Sequence, residues 1–210
     1  MNRIAKPAPF VLVSTGHGSM IASVNEYRPA TDTDPEIAGD GQQLIRSSLA
    51  EADIIDLMLD LLDLRRRHGG DGVVALDGGA GIGVHTVEWA RHMTGWGKVV
   101  GFEPQERTYY ALCGNIALNN VLNAGAVNAA LGGMSGFIDT PVLDQTRPAL
   151  FGALELRKGA RNQPLGQPVR HDEPGGYTAF PVGQYLLAAH NEDPALTEIT
   201  ERARTMAASE

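Results

Sequence analysis

Two short blocks carry the residue types and spacing that could do chemistry. Asp77-Gly78-Gly79-Ala80-Gly81-Ile82-Gly83 follows the apolar run Val73-Val74-Ala75-Leu76, so a strand should run into a glycine loop and then into a helix. Three spaced glycines let a ligand approach main-chain N–H groups that a Cβ would hold away. Twenty residues beyond Gly83, Glu103 ends a second apolar run, Val99-Val100-Gly101-Phe102. A carboxylate there can accept hydrogens from both hydroxyls of a ribose. The two blocks together predict a nucleoside cofactor lying across the carboxyl ends of two parallel strands.

The glycine spacing bears on which cofactor. A dinucleotide fingerprint places glycines at relative positions 1, 3 and 6. Here Gly79 and Gly81 supply the first two, Val84 stands at position 6, and Gly83 falls one residue early. A third glycine at position 5, with an acid two residues before the first, is the pattern of S-adenosylmethionine (SAM) loops. SAM has no pyrophosphate, so nothing anionic has to sit on the helix N-terminus. An NAD-linked enzyme stands as a further reading, against which the displaced glycine argues.

Methyl transfer from a sulfonium is an in-line displacement at carbon, and the protein chiefly aligns the reactants and excludes water. A hydroxyl nucleophile also benefits from a nearby base, most often histidine. His85, just after the glycine loop, is the best-placed candidate, with local packing at the helix start as the plain alternative. His17, between Gly16 and Gly18, reads as an exposed turn or as a group closing over the site. His92 lies seven residues after His85, too far for the two to ligate one metal, and no metal site is expected. His171-Asp172-Glu173 reads as a solvated loop cluster, and Cys113 as a small buried residue. No G-x-S-x-G element points to a hydrolase.

Composition excludes several classes. The chain has 210 residues, 43% hydrophobic and 20% charged, as in a globular domain with a substantial core. Its net charge is −8, and no basic cluster exceeds Arg65-Arg66-Arg67, which disfavours a nucleic-acid partner. One cysteine rules out a disulfide framework. No apolar run approaches the ~20 residues of a membrane span, and Phe10-Val11-Leu12-Val13 is too short for a signal-peptide core. The expectation is a cytoplasmic protein with no membrane partner.

The elements that must position these residues follow from periodicity and turn chemistry. Residues 10 to 27 read as a hairpin turning at Gly16-His17-Gly18, and residues 28 to 43 as loop. Residues 48 to 68 read as a helix, with Ser48-x-x-Glu51 as capping box and Leu49, Ala52, Ile55, Leu59 and Leu62 on the core face. Arg65 to His68 complement its C-terminal dipole and Gly69-Gly70 stop it. An alternating unit follows: strand 73–77, helix 84–94, strand 98–103, helix 105–120, strand 125–131, which implies a parallel sheet. Residues 136 to 160 (Phe137-Ile138, then Leu150 to Leu156) read as antiparallel strand material and 159 to 177 as loop. A last helix starts near Asp193-Pro194, with Leu196, Ile199, Ala203 and Met206 along one face. The fold class is α/β: a Rossmann-like parallel sheet with flanking helices, an N-terminal hairpin plus helix, and an antiparallel segment after the third core strand. We divide the chain into an extension (1–71), a SAM-binding core (72–135) and a C-terminal part (136–210) within one compact domain.

From about Gly72 to Gly133 the chain resembles the FkbM family of SAM-dependent methyltransferases, mostly O-methylating enzymes. The matching blocks are Val74 to Thr86, Gly101-Phe102-Glu103-Pro104, Asn115-Ile116-Ala117-Leu118-Asn119 and Asn128-Ala129-Ala130-Leu131-Gly132. The His17-Gly18-Ser19-Met20-Ile21 hairpin and the Leu61 to Arg67 helix end also look like that family's N-terminal extension. The resemblance implies that Asp77, Gly79, Ala80, Gly81 and Gly83 cradle the methionine and sugar end of SAM. It implies further that Glu103 and Pro104 hold the ribose, while Asn128 and Ala129 lie beside the adenine. The substrate would be a small molecule or sugar methylated at a hydroxyl oxygen. The chain departs from the family after its third strand, where an I-D-V-E-G-like strand and those after it have no counterpart; nothing between 180 and 210 reads as a strand. A second reading is therefore a SAM-binding or partner-binding protein without complete catalysis. Three parallel strands with an open edge would imply such a protein or a homodimer.

Overall fold

The computed structural model describes residues 9–32, 35–132, 139–141, 143–151, 162–164, 169–170, 177–182, 185–190 and 194–207. The chain opens with the expected hairpin: β1 (Phe10–Thr15) pairs antiparallel with β2 (Gly18–Ser23), Thr15 opposite Gly18 and Phe10 opposite Ser23. The turn is Gly16-His17, and Gly18 takes a positive φ of 99°. A two-residue pairing follows, β3 (Tyr27–Arg28) with β4 (Ile37–Ala38). Then comes a helix where a loop was expected, α1 (Asp40–Ser47). It forms because Leu44 is buried to 1% exposure and Gly41 lets the helix touch the main chain of Ser23.

α2 (Ala52–Gly69) is the expected long helix, but its start corrects the capping-box expectation. Ser48 closes α1 instead, with φ 62° and its N–H donating to Leu44 O. Glu51 stands before α2 with φ 52° and makes no side-chain cap. Leu49 and Ala52, expected in the core, are exposed. Ile55 is buried against the sheet-side core, where Leu59 and Leu62 join it. The arginine run ends the helix locally: Arg66 donates to Asp71 at 2.7 Å and lies 4.7 Å over the Trp96 ring.

The alternating unit appears as β5 (Val73–Gly78), α3 (Val84–His92), β6 (Gly97–Phe102), α4 (Glu106–Leu118) and β7 (Ala124–Val127). The sheet is parallel in the order β5-β6-β7, with Gly78 beside Phe102 and Phe102 beside Val127. This β-α-β-α-β arrangement has the connectivity of one half of a doubly wound α/β fold. Val87, Ala90, Met93 and Val99 fill its core at 0–1% exposure, each large side chain contributing roughly 1.5–3 kcal/mol of burial. Among the described residues β5 pairs on one side only, and Val74 and Leu76 on it are 59% and 45% exposed.

β7 ends at Val127, short of the expected 131; β8 (Leu131–Gly132) leaves the sheet. It pairs in parallel with β11 (Val169–Arg170), and β9 (Asp139–Pro141) pairs antiparallel with β10 (Asn162–Pro164). Both β10 and β11 lie in the stretch expected as loop. β12 (Tyr177–Val182) and β13 (Tyr185–His190) form an antiparallel hairpin, which corrects the expectation that no strand lies beyond 180. Phe137-Ile138, Gly152 to Leu156 and His171-Asp172-Glu173 lie outside the described residues. α5 (Leu196–Ala207) closes the chain; Ala195 and Ile199 pack with Leu57, Leu61 and Leu64, and Arg202 pairs with Asp60. The side chains of Ala203 and Met206 lie outside the described residues. Among the described residues no helix is long and apolar enough to cross a membrane.

Candidate functional site

The three parallel strands deliver the predicted residues to one place, their carboxyl ends. Asp77 is the last residue but one of β5, Glu103 and Pro104 follow β6, and Asn128 and Ala129 follow β7. The chain bends between β5 and α3 through Gly79, Gly81 and Gly83, all at positive φ (76°, 55° and 90°). At Gly83 a Cβ would also fall 2.4 Å from Leu112 Cδ1, so the bend seats on α4. At Gly79 a Cβ would meet no heavy atom within 4 Å; the space beside the loop there is open.

Four of the loop's N–H groups have partners within the protein. Gly79 and Ala80 N–H both donate to Phe102 O at 2.9 Å, and Gly83 N–H to Ala80 O at 2.8 Å. Gly81 N–H donates to Glu103 Oε2 at 2.9 Å, while Gln105 N–H donates to Oε1 at 2.7 Å. The Glu103 carboxylate is thus turned onto the bend and 4% exposed, with acceptor sites to spare on both oxygens. Asn128 Nδ2 donates to Glu103 O (2.8 Å) and Pro104 O (3.3 Å), bracing the segment that carries the acid. Ala129 is fully buried beside it. A bend whose Gly79, Ala80, Gly81 and Gly83 N–H groups are engaged within the protein offers few donors to a pyrophosphate, which needs them. It is compatible with an adenosyl group, whose ribose asks for acceptors.

Acids gather around this bend from parts of the chain where only Asp77 and Glu103 were anticipated. Thr86 Oγ1 donates to Asp77 Oδ2 at 2.5 Å, tying the first turn of α3 to the end of β5. Asp40, opening α1, brings Oδ2 to 3.7 Å from where a Gly81 Cβ would stand. Glu26 is buried and accepts from Gly41 N–H at 3.0 Å. Glu51 pairs with His85 Nε2 at 3.0 Å, and the His85 ring stacks parallel on Trp89 at 5.7 Å. Burial, reinforced by Glu26 and Glu51, pushes Asp40 up to about 7. Burial also pushes Glu103 up to about 7 against the pull of the Gln105 and Gly81 N–H groups. Burial raises Asp77 too, with His85 and Thr86 opposing it. For His85, burial opposes a charge, but the Glu51 hydrogen bond together with Asp77 and Asp40 outweighs it and holds the imidazole above its ordinary value. Such a surround favours a cationic ligand and penalises an anionic one.

His17 corrects its expectation: it is 4% exposed and engaged at both nitrogens. Nδ1 meets Glu88 Oε1 at 3.0 Å, and Ala50 N–H donates to Nε2 at 3.1 Å. The matching block on α4 gains a physical account. Asn115, fully buried, accepts from Ile21 N–H at 2.6 Å and donates to Ile21 O at 3.2 Å and Ile82 O at 2.7 Å. Its amide therefore pairs with β2 as a neighbouring strand would, and holds the glycine loop at the same time. Asn119, one turn on, donates to Ser19 O and accepts from Arg91. Two asparagines four apart on an apolar helix were the available signal. Cys113 is only half-buried, and His92 pairs with Asp63 at 2.7 Å.

No family model matches the chain, and no curated protein matches it. Among solved structures the chain is similar to the crystal structure of coclaurine N-methyltransferase bound to N-methylheliamine and SAH. The identity is 24% and the TM-score 0.31, over 40% of this chain and 24% of that one. The chain thus spans about a quarter of that enzyme's length.

Proposed function

We propose that the chain is a SAM-dependent methyltransferase of the FkbM kind, acting on a hydroxyl oxygen of a small molecule or sugar. The observation that carries this reading is the Glu103 carboxylate laid against the Gly81 N–H of the glycine bend, at the carboxyl ends of the parallel strands. Glu103 accepts the ribose hydroxyls, Gly79 leaves room for the sugar and methionine end, and Asp40 and Asp77 favour a positive charge nearby. Bound SAM supplies an electrophilic methyl carbon on a sulfonium. His85, held by Glu51 and stacked on Trp89, takes the proton of the nucleophile. Calorimetric titration with SAM, S-adenosylhomocysteine (SAH) and NAD tests the reading: the two adenosyl ligands bind and NAD does not. NAD binding, or no binding of SAM and SAH, rejects it.

A second reading is a SAM-binding protein without turnover. It is favoured by the parallel sheet, which among the described residues stops at three strands with β5 at its edge. Tight SAH binding without methyl release from SAM on a panel of hydroxylated substrates would select it.

A further inference from the structure

The turn between α1 and α2 carries two non-glycine residues in the left-handed region, Ser48 (φ 62°) and Glu51 (φ 52°). Left-handed backbone at residues with a Cβ persists only where the surroundings over-determine it, and it gathers at working sites. Here the surroundings are the tip of the N-terminal hairpin. Gly16 N–H donates to Ser48 O at 2.8 Å, and Ala50 N–H donates to His17 Nε2 at 3.1 Å. Because Nε2 accepts, Nδ1 carries the ring proton and meets Glu88 Oε1. Glu88 also receives Arg91 Nη1 at 3.1 Å, so the hairpin tip is braced on α3. The residue after Ala50 is Glu51, whose carboxylate reaches His85 on the same helix, two residues past Gly83.

We propose that His17 is a positioning residue: by accepting the Ala50 N–H while braced on Glu88, it holds the left-handed turn that aims Glu51 at His85. The hairpin is thereby a working part of the site. The groups facing His85 are Glu51 from this turn, Asp40 from α1 and Asp77 from β5, with Trp89 stacked on its ring. The groups facing His17 are Glu88 and, through it, Arg91. Of these, Glu51 alone depends on the turn that His17 grips. His85's part in catalysis rests on the reading above; the placement of Glu51 does not.

Two substitutions separate the two ends of the imidazole. His17→Gln puts an amide oxygen within reach of the Ala50 N–H. His17→Asn reaches only as far as Nδ1, towards Glu88. The His85 titration midpoint is read by NMR in ligand-free protein, with thermal melts confirming that each variant is folded and Glu51→Gln as reference. The expected result is a fall of the midpoint in His17→Asn towards that of Glu51→Gln, and a midpoint near wild type in His17→Gln. A merely structural role would lower melting temperatures without that pattern. Identical midpoints in wild type, His17→Asn and His17→Gln, with Glu51→Gln displaced, overturn the proposal. SAH titration of the same proteins keeps the two readings apart. Midpoints that follow the pattern without SAH binding would sink the methyltransferase reading alone. SAH binding with unmoved midpoints would sink the positioning role alone.

Discussion

The two ends of the parallel sheet make an instructive contrast. At the amino ends of the strands lies a groove of about 750 Å³, walled by Val73, Val74, Trp96 and Leu122, with Asp71 and Lys98 as its charged members. Leu122 is 97% exposed there, and Gly72 and Gly95 bend at positive φ. At the carboxyl ends lies the glycine bend, crowded by Asp40, Glu51, Asp77, His85 and Glu103. Both ends have glycines at positive φ. The carboxyl end has a carboxylate laid on a main-chain bend and a histidine paired with an acid. Room for a ligand is thus separate from the means to recognise one, and strand direction decides where the means collect. In parallel α/β sheets the loops after the strands gather side chains from every strand at one rim.

The contrast breaks most easily at Glu103. Glu103→Ala weakens SAH binding by about 1–3 kcal/mol through lost ribose hydrogen bonds, read by calorimetry. Lys98→Ala in the groove leaves the same constant unchanged. Equal effects of the two would erase the distinction between the ends.

A smaller but sharper comparison uses glycines. Gly79→Ala and Gly72→Ala both force a Cβ onto a left-handed backbone (φ 76° and 96°), and in both the Cβ meets open space. Each costs roughly 1–2 kcal/mol of stability, seen as a similar drop in melting temperature. Gly79→Ala alone also weakens SAH binding, because its Cβ occupies the ligand's side of the bend. A variant at position 72 that lost SAH affinity equally would contradict this.

The pH dependence follows from the displaced acids. Ribose hydroxyls and a sulfonium favour ionised carboxylates, and Glu103 and Asp40 ionise near 7. SAM affinity therefore rises with pH through about 7, by at most tenfold per pH unit for one linked proton, with proton release detectable from buffer-dependent heats. Stability runs the other way. Between the ordinary carboxylate range and about 7 the folded chain keeps protons that the unfolded chain has lost, so these groups' contribution falls as pH rises through that window. His85, also raised, has the same sign. The melting temperature at about pH 5.5 should exceed that at about pH 8; the reverse order would count against the burial of Asp40 and Glu103.

What the sequence disclosed tracks how locally each feature is written. β5, β6 and the helices after them were legible because apolar runs, glycines and helix periodicity are local signals. α1 was not: in Asp40-Gly-Gln-Gln-Leu-Ile-Arg-Ser only two residues are apolar, and the helix depends on Leu44 meeting the hairpin. β12 contains Pro181, which argues against a strand, and Leu186-Leu187-Ala188-Ala189 in β13 favours helix on propensity alone. The end of β7 could not be read because its pairing, not its composition, stops at Val127. In the site, Asp77 and Glu103 stood out by their place after strands. Glu51 did not, since its partner His85 is thirty-four residues away and a capping box explained it locally. Asn115 was visible as part of a block, but its work, bridging Ile21 and Ile82, is tertiary.

A crystal structure with SAH bound tests the central claim most directly. The account predicts the adenosyl ribose hydroxyls within hydrogen-bond distance of the Glu103 carboxylate, with Gly79 against the ligand. SAH lodged in the groove by Trp96 and Leu122, or bound with Glu103 still facing only protein, would contradict it.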